Sequence, residues 1–65
     1  MILRGMISAV DNNLRKARVM IEDFDGCVTP ELPIAISTGN VFVNDMVIVV
    51  FFSDDPLDGL IIARV

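Results

Sequence analysis

Val43-Asn44-Asp45, then Met46-Val47-Ile48-Val49-Val50-Phe51-Phe52, then Ser53-Asp54-Asp55-Pro56-Leu57-Asp58-Gly59, then Leu60-Ile61-Ile62-Ala63: this last third of the chain reads as two apolar strands joined by an acidic turn. Successive side chains of a strand point to opposite faces. Val47, Val49 and Phe51 therefore share one face, and Met46, Ile48, Val50 and Phe52 share the other. Both faces are apolar. A small β-domain needs only one apolar face for its own core, so the row Met46, Ile48, Val50 and Phe52 is expected to be an oligomer interface.

Size sharpens that expectation. A chain of 65 residues makes one domain, 1–65, and buries only about 60% of the surface it exposes when unfolded. Domains this small commonly rely on disulfides, metals or oligomerisation. With a single cysteine, Cys27, and no histidine, an intramolecular disulfide is impossible and the ligand set for zinc is poor. Oligomerisation remains. The chain is 54% hydrophobic and 22% charged, too apolar for a disordered segment.

The earlier segments also read as strands. Ile2 to Val10 places Leu3, Gly5, Ile7 and Ala9 on one side and Arg4, Met6, Ser8 and Val10 on the other, and Gly5 suggests a bulge or sharp bend. Asp11-Asn12-Asn13 is a turn cluster. Lys16 to Glu22 alternates, with Ala17, Val19 and Ile21 opposite Lys16, Arg18, Met20 and Glu22, so these two segments form a long hairpin. Asp23-Phe24-Asp25-Gly26 turns the chain again. Cys27 to Ile36 contains Pro30 and Pro33, so the third strand is expected to be short, irregular or at an edge. Ser37-Thr38-Gly39-Asn40 breaks it, and Val41 to Val43 is a short strand or a lead into the Asn44-Asp45 turn.

Five strands at spacings of roughly 8–14 residues point to an all-β barrel or sandwich. Small five-stranded barrels are chiefly OB-fold-like or SH3-like. A long first hairpin, a proline-broken middle and a closing hairpin fit the OB-like order better, with a loop at Ser37 to Asn40 in place of the usual helix.

Residues that could carry chemistry are few. None of Ser8, Thr29, Ser37, Thr38, Ser53 and Cys27 can have a histidine base. Catalysis is therefore not expected, and Cys27 is expected to be a small buried hydrophobe. Asp54, Asp55 and Asp58 offer carboxylates to a cation but lack the terminal bidentate glutamate of a calcium loop. Together with Glu22, Asp23 and Asp25 they read as solvated turns, and no cofactor or metal is implied. Arg15, Lys16 and Arg18 form a small basic patch that would serve a nucleic-acid-binding OB or SH3-like module. Against it stand a net charge of −4, only five Lys and Arg, and no Trp or Tyr. No window has roughly 18 uninterrupted apolar residues, so no membrane-spanning helix is predicted. The start Met1-Ile2-Leu3-Arg4-Gly5 shows no signal peptide, which suits a reducing cytoplasm.

The order Gly5, Val10-Asp11, Ala17-Arg18-Val19, Asp25-Gly26, Leu32-Pro33-Ile34, Val43-Asn44-Asp45, Val47-x-Val49-x-Phe51, Asp54-Asp55-Pro56 and Gly59-Leu60-Ile61-Ile62 resembles the OB domain of phage baseplate assembly protein V. It is also similar to OB domains of contractile-tail spikes and type VI secretion spikes. Asn44 stands where that family usually has glycine, and asparagine can take the same left-handed turn. The resemblance implies a structural role in a phage or prophage tail baseplate, spike or related injection apparatus. There OB domains trimerise around the tail axis and join other tail or baseplate proteins. The implied location is the bacterial cytoplasm during assembly, then the virion tail or injection particle. The triple-stranded β-helix and histidine-rich, iron-binding tip of some spikes have no counterpart in these residues. The expected role is thus a tail component or one domain of a longer protein, not the piercing tip.

Overall fold

Strand β1 (Ile2–Asp11) organises the fold: its first half, Ile2 to Met6, pairs with one neighbour and its second half, Gly5 to Asp11, with another. The computed structural model describes residues 1–55 and 58–65, so the Pro56-Leu57 part of the expected acidic turn lies outside the described residues. After β1 come β2 (Lys16–Ile21), β3 (Cys27–Val28), β4 (Leu32–Pro33), β5 (Met46–Phe51) and β6 (Gly59–Arg64). The sheet order is β3-β2-β1-β5-β6, with β4 also on β2, and every ladder is antiparallel. Its two ends approach each other through one parallel bridge, Ile34 to Ile61, and the Ala35 amide donating to the Ile61 carbonyl at 2.8 Å. The all-β expectation holds.

The expected third strand is two short ones. Pro30 has no amide to give a ladder, so pairing with β2 stops after Val28 and resumes at Leu32. Thr29 fills the gap. Its amide donates to the Val19 carbonyl at 2.8 Å, and its hydroxyl accepts the Val19 amide at 3.1 Å. That hydroxyl also donates to the Pro30 carbonyl at 2.8 Å. Thr29 is buried, and its side chain stands in for the missing backbone partner. In place of a helix, Ile36–Thr38 makes one 3-10 turn. Val41 to Val43 forms no strand and leads into the turn, where Asn44 takes φ 75° as the left-handed position requires.

The core comprises Ile7, Ala17, Val19, Ile21, Leu32, Ile34, Val41, Val47, Val49, Phe51 and Ile61, with Leu3 and Val10 packed against it. Val47, Val49 and Phe51 face inward as alternation predicts. In β1 the expected faces hold only as far as Ile7. Pairing runs Ile7 to Val19 and then Ala9 to Arg18, so Ser8 is an extra residue in a bulge. Beyond it the faces exchange: Ala9 is exposed and Val10 packs on the core. Gly5 is not the bulge. It sits tight against β2: a Cβ there would lie 2.4 Å from Val19 Cγ1 and 2.7 Å from the Met20 carbonyl oxygen.

Candidate functional site

Directly paired residues in neighbouring strands project to the same face, so the register defines the outer surface. Ile2 pairs with Val50 and Val50 with Leu60; Arg4 pairs with Ile48 and Ile48 with Ala63. Met6 lies between Met20 and Met46, and Met20 pairs onward with Val28. The outer row of β5 is therefore one part of a broader apolar surface that crosses five strands. Alternation in one strand reveals the row. The breadth depends on register between segments distant in sequence.

Lateral packing changes the exposure expected for that row. Met46, Ile48 and Val50 are half-buried, because β1 and β6 flank β5 on both sides with apolar side chains of their own. Phe52 lies past the end of β5 and is 66% exposed, and Ile2 is 67% exposed.

Arg4 is the one charged side chain among the outward positions of β1, β5 and β6 from Ile2 to Met6, Met46 to Val50 and Leu60 to Ala63. Beside it, Ile2, Leu3, Arg4, Glu22, Asp23 and Ile48 line a shallow hollow of about 350 Å³. Glu22 and Asp23 belong to the 3-10 turn Glu22–Phe24, which follows β2 directly and is held by Asp25 and Gly26, both at positive φ. Among the described residues, Arg4, Glu22 and Asp23 form no side-chain hydrogen bond or ion pair.

The basic patch divides. Arg15 is half-buried and takes φ 57°, and its guanidinium donates to the Ala35 carbonyl at 2.7 Å and the Gly39 carbonyl at 2.7 Å. It pins the loop that carries Ile34 toward β6, whereas Lys16 and Arg18 point to solvent. A neighbouring brace comes from Asn12, whose side-chain amide donates to the Val41 carbonyl at 3.0 Å and accepts the Val41 amide at 3.3 Å.

Cys27 is exposed, not buried as expected. β3 is only two residues long and sits at the margin of the sheet, so no layer covers it. With Met1, Phe24, Val28, Pro30 and Phe51, Cys27 lines an apolar cleft of about 290 Å³. The Asp55 carbonyl accepts the Asp58 amide at 3.0 Å, and the Asp55 amide donates to Ser53 Oγ at 3.2 Å. Among the described residues, no three His, Cys, Asp or Glu side chains gather as a metal site, and no helix is long and apolar enough to cross a membrane. Sequence reading also passed over a second set of exposed apolar side chains, Leu14, Ile36, Phe42 and Val43, on the loops that Arg15 and Asn12 brace. Short loops carry no periodicity that could have marked them. No protein-family model matches the chain, and no curated protein resembles it closely enough to count as a match.

Proposed function

We propose that this protein is a structural, self-associating assembly module with an OB-like barrel and no catalytic step. The observation that carries the reading is the apolar outer surface that spans β1, β5 and β6 around Ile48. Apolar side chains of three strands share this surface, interrupted by Arg4, and covering it with a second copy would remove them from water. Two features support an OB-like barrel over an SH3-like one. β1 pairs with both β2 and β5, and the contact between the third segment and the last strand is parallel.

The order of motifs in the sequence supports reading such a module as part of a phage-tail baseplate, spike or related contractile injection apparatus, assembled in the bacterial cytoplasm and then carried in the particle. Three copies around an axis are what that family would use. The competing nucleic-acid reading loses support, because Arg15 is engaged with the Ala35 and Gly39 carbonyls and leaves Lys16 and Arg18 as the exposed pair of the patch. Chemical cross-linking across a dilution series tests the proposal. Wild type should give discrete oligomer bands that Ile48→Asp abolishes; equal cross-linking in both would contradict it.

A further inference from the structure

We infer that the open margin of β3 takes an extended segment of another protein chain as an added strand, apolar where it enters the cleft beside Cys27 and basic where it passes Asp54. The inference goes beyond the self-association proposed above, which uses the outer face around Ile48. The two ends of the sheet meet at the Ile34 to Ile61 bridge; away from that bridge the sheet path ends at β3. Cys27 pairs with Ile21, which is fully buried, so Cys27 projects to the core side of the sheet. It is exposed nonetheless, because it stands on the last strand of the path. The apolar cleft of about 290 Å³ lies at this gap, walled by Phe24, Cys27 and Val28 and by Met1, Phe51 and Asp54.

The backbone of the edge selects the occupant. The Thr29 amide donates to the Val19 carbonyl, so Val19 and Thr29 are hydrogen-bonded partners and the adjacent pair, Met20 and Val28, is not hydrogen-bonded. The Val28 N–H and C=O therefore point away from β2, along the free edge. A donor and an acceptor on one residue are satisfied by another extended backbone, which exchanges both bonds with them. Residues on either side of the one opposite Val28 then project to the same face as Cys27, into an apolar lining. Charge narrows the choice further. Asp54 lines the cleft, and Asp23 and Asp25 flank Phe24 in sequence. Among the described residues these three side chains form no hydrogen bond or ion pair, and the whole chain carries a net charge of −4. Lys or Arg at the ends of an added strand meets them favourably.

The probe is the end-blocked pentapeptide Lys-Ile-Thr-Ile-Lys, with its threonine opposite Val28 and its isoleucines entering the cleft. At saturation it should slow hydrogen exchange of the Val28 amide and alkylation of the Cys27 thiol by iodoacetamide, each by about tenfold or more. N-methylating the threonine, or replacing both lysines with glutamate, should abolish the protection. Val28→Pro deletes the free donor without deleting a β2 ladder bond. It should melt near wild type and lose the peptide, read on Cys27. Folded Asp54→Lys should prefer the glutamate peptide to the lysine one. No protection at millimolar peptide would overturn the docking site. Binding that survives both N-methylation and Val28→Pro would overturn strand addition and leave a plain apolar pocket. Equal binding of the lysine and glutamate peptides would overturn the basic partner. Protection that rises with protein concentration in the absence of peptide would assign the edge to a second copy instead. Sedimentation with and without Ile48→Asp reads self-association separately, so either reading can fail while the other stands.

Discussion

The Val19 amide donates to the Thr29 hydroxyl at 3.1 Å, so a side chain completes the β2 ladder where Pro30 interrupts it. Removing that hydroxyl leaves a buried amide unsatisfied, which costs about 1–3 kcal/mol. Thr29→Val should lower stability in urea by that amount, while Thr29→Ser keeps the oxygen and most of the stability. A loss in Thr29→Ser with none in Thr29→Val would show that the methyl group, not the hydrogen bond, matters at this site.

Gly5 and Gly59 make a graded pair. The Gly5 Cβ would meet a backbone oxygen, Met20 O at 2.7 Å, as well as Val19 Cγ1 at 2.4 Å. At Gly59 the obstacles are side-chain atoms, Phe51 Cε1 at 2.9 Å and Leu32 Cδ1 at 3.2 Å. Backbone held in a ladder cannot give way as a side chain can. Gly5→Ala should therefore cost about 2–3 kcal/mol and Gly59→Ala about 1 kcal/mol by denaturant titration. The reverse order would mean that β1 can slide away from β2.

Arg15 ties the 35–40 loop through two carbonyls, a planar fork that lysine cannot reproduce. Arg15→Lys should destabilise the protein by about 1–2 kcal/mol. The loss should appear first as faster hydrogen exchange of the Ala35 amide, which bonds to Ile61. Unchanged protection at Ala35 would show that the loop holds itself.

What was legible in the sequence was whatever period two controls. Val47, Val49 and Phe51 inside, and Ala17, Val19 and Ile21 opposite them in the first hairpin, follow from alternation alone. Asn44 in a left-handed turn was equally legible, because few other residues tolerate that conformation. The Ser8 bulge was not. It depends on how many residues β2 offers opposite β1, and the more visible Gly5 serves close packing instead. Cys27 was misplaced for a related reason: its neighbours are apolar, but it sits at a margin that local sequence cannot reveal. The outer face was legible as a single row on β5. Its continuation through Ile2, Met6 and Leu60, and the placing of Arg4 beside Glu22, required the register of segments far apart in the chain.

The proposed assembly role leaves Lys16 and Arg18 as the exposed cations of the basic patch, on a chain of net charge −4. Fluorescence anisotropy at low ionic strength should find no binding of single-stranded DNA or RNA. Binding that falls steeply as salt is added would restore the nucleic-acid reading.

Inner and outer rows of β5 should separate stability from association. Val49→Ala opens a cavity in the core and should cost about 2 kcal/mol, whereas Ile48→Asp and Phe52→Asp act on the surface that a second copy would cover. Sedimentation velocity from low to high micromolar concentration tests the central claim most directly. Self-association requires wild type to sediment as an oligomer, and Ile48→Asp and Phe52→Asp as folded monomers that melt below wild type because the stabilisation by the partner copy is lost. A wild type that stays monomeric throughout, with Phe52→Asp unchanged in stability, would contradict it.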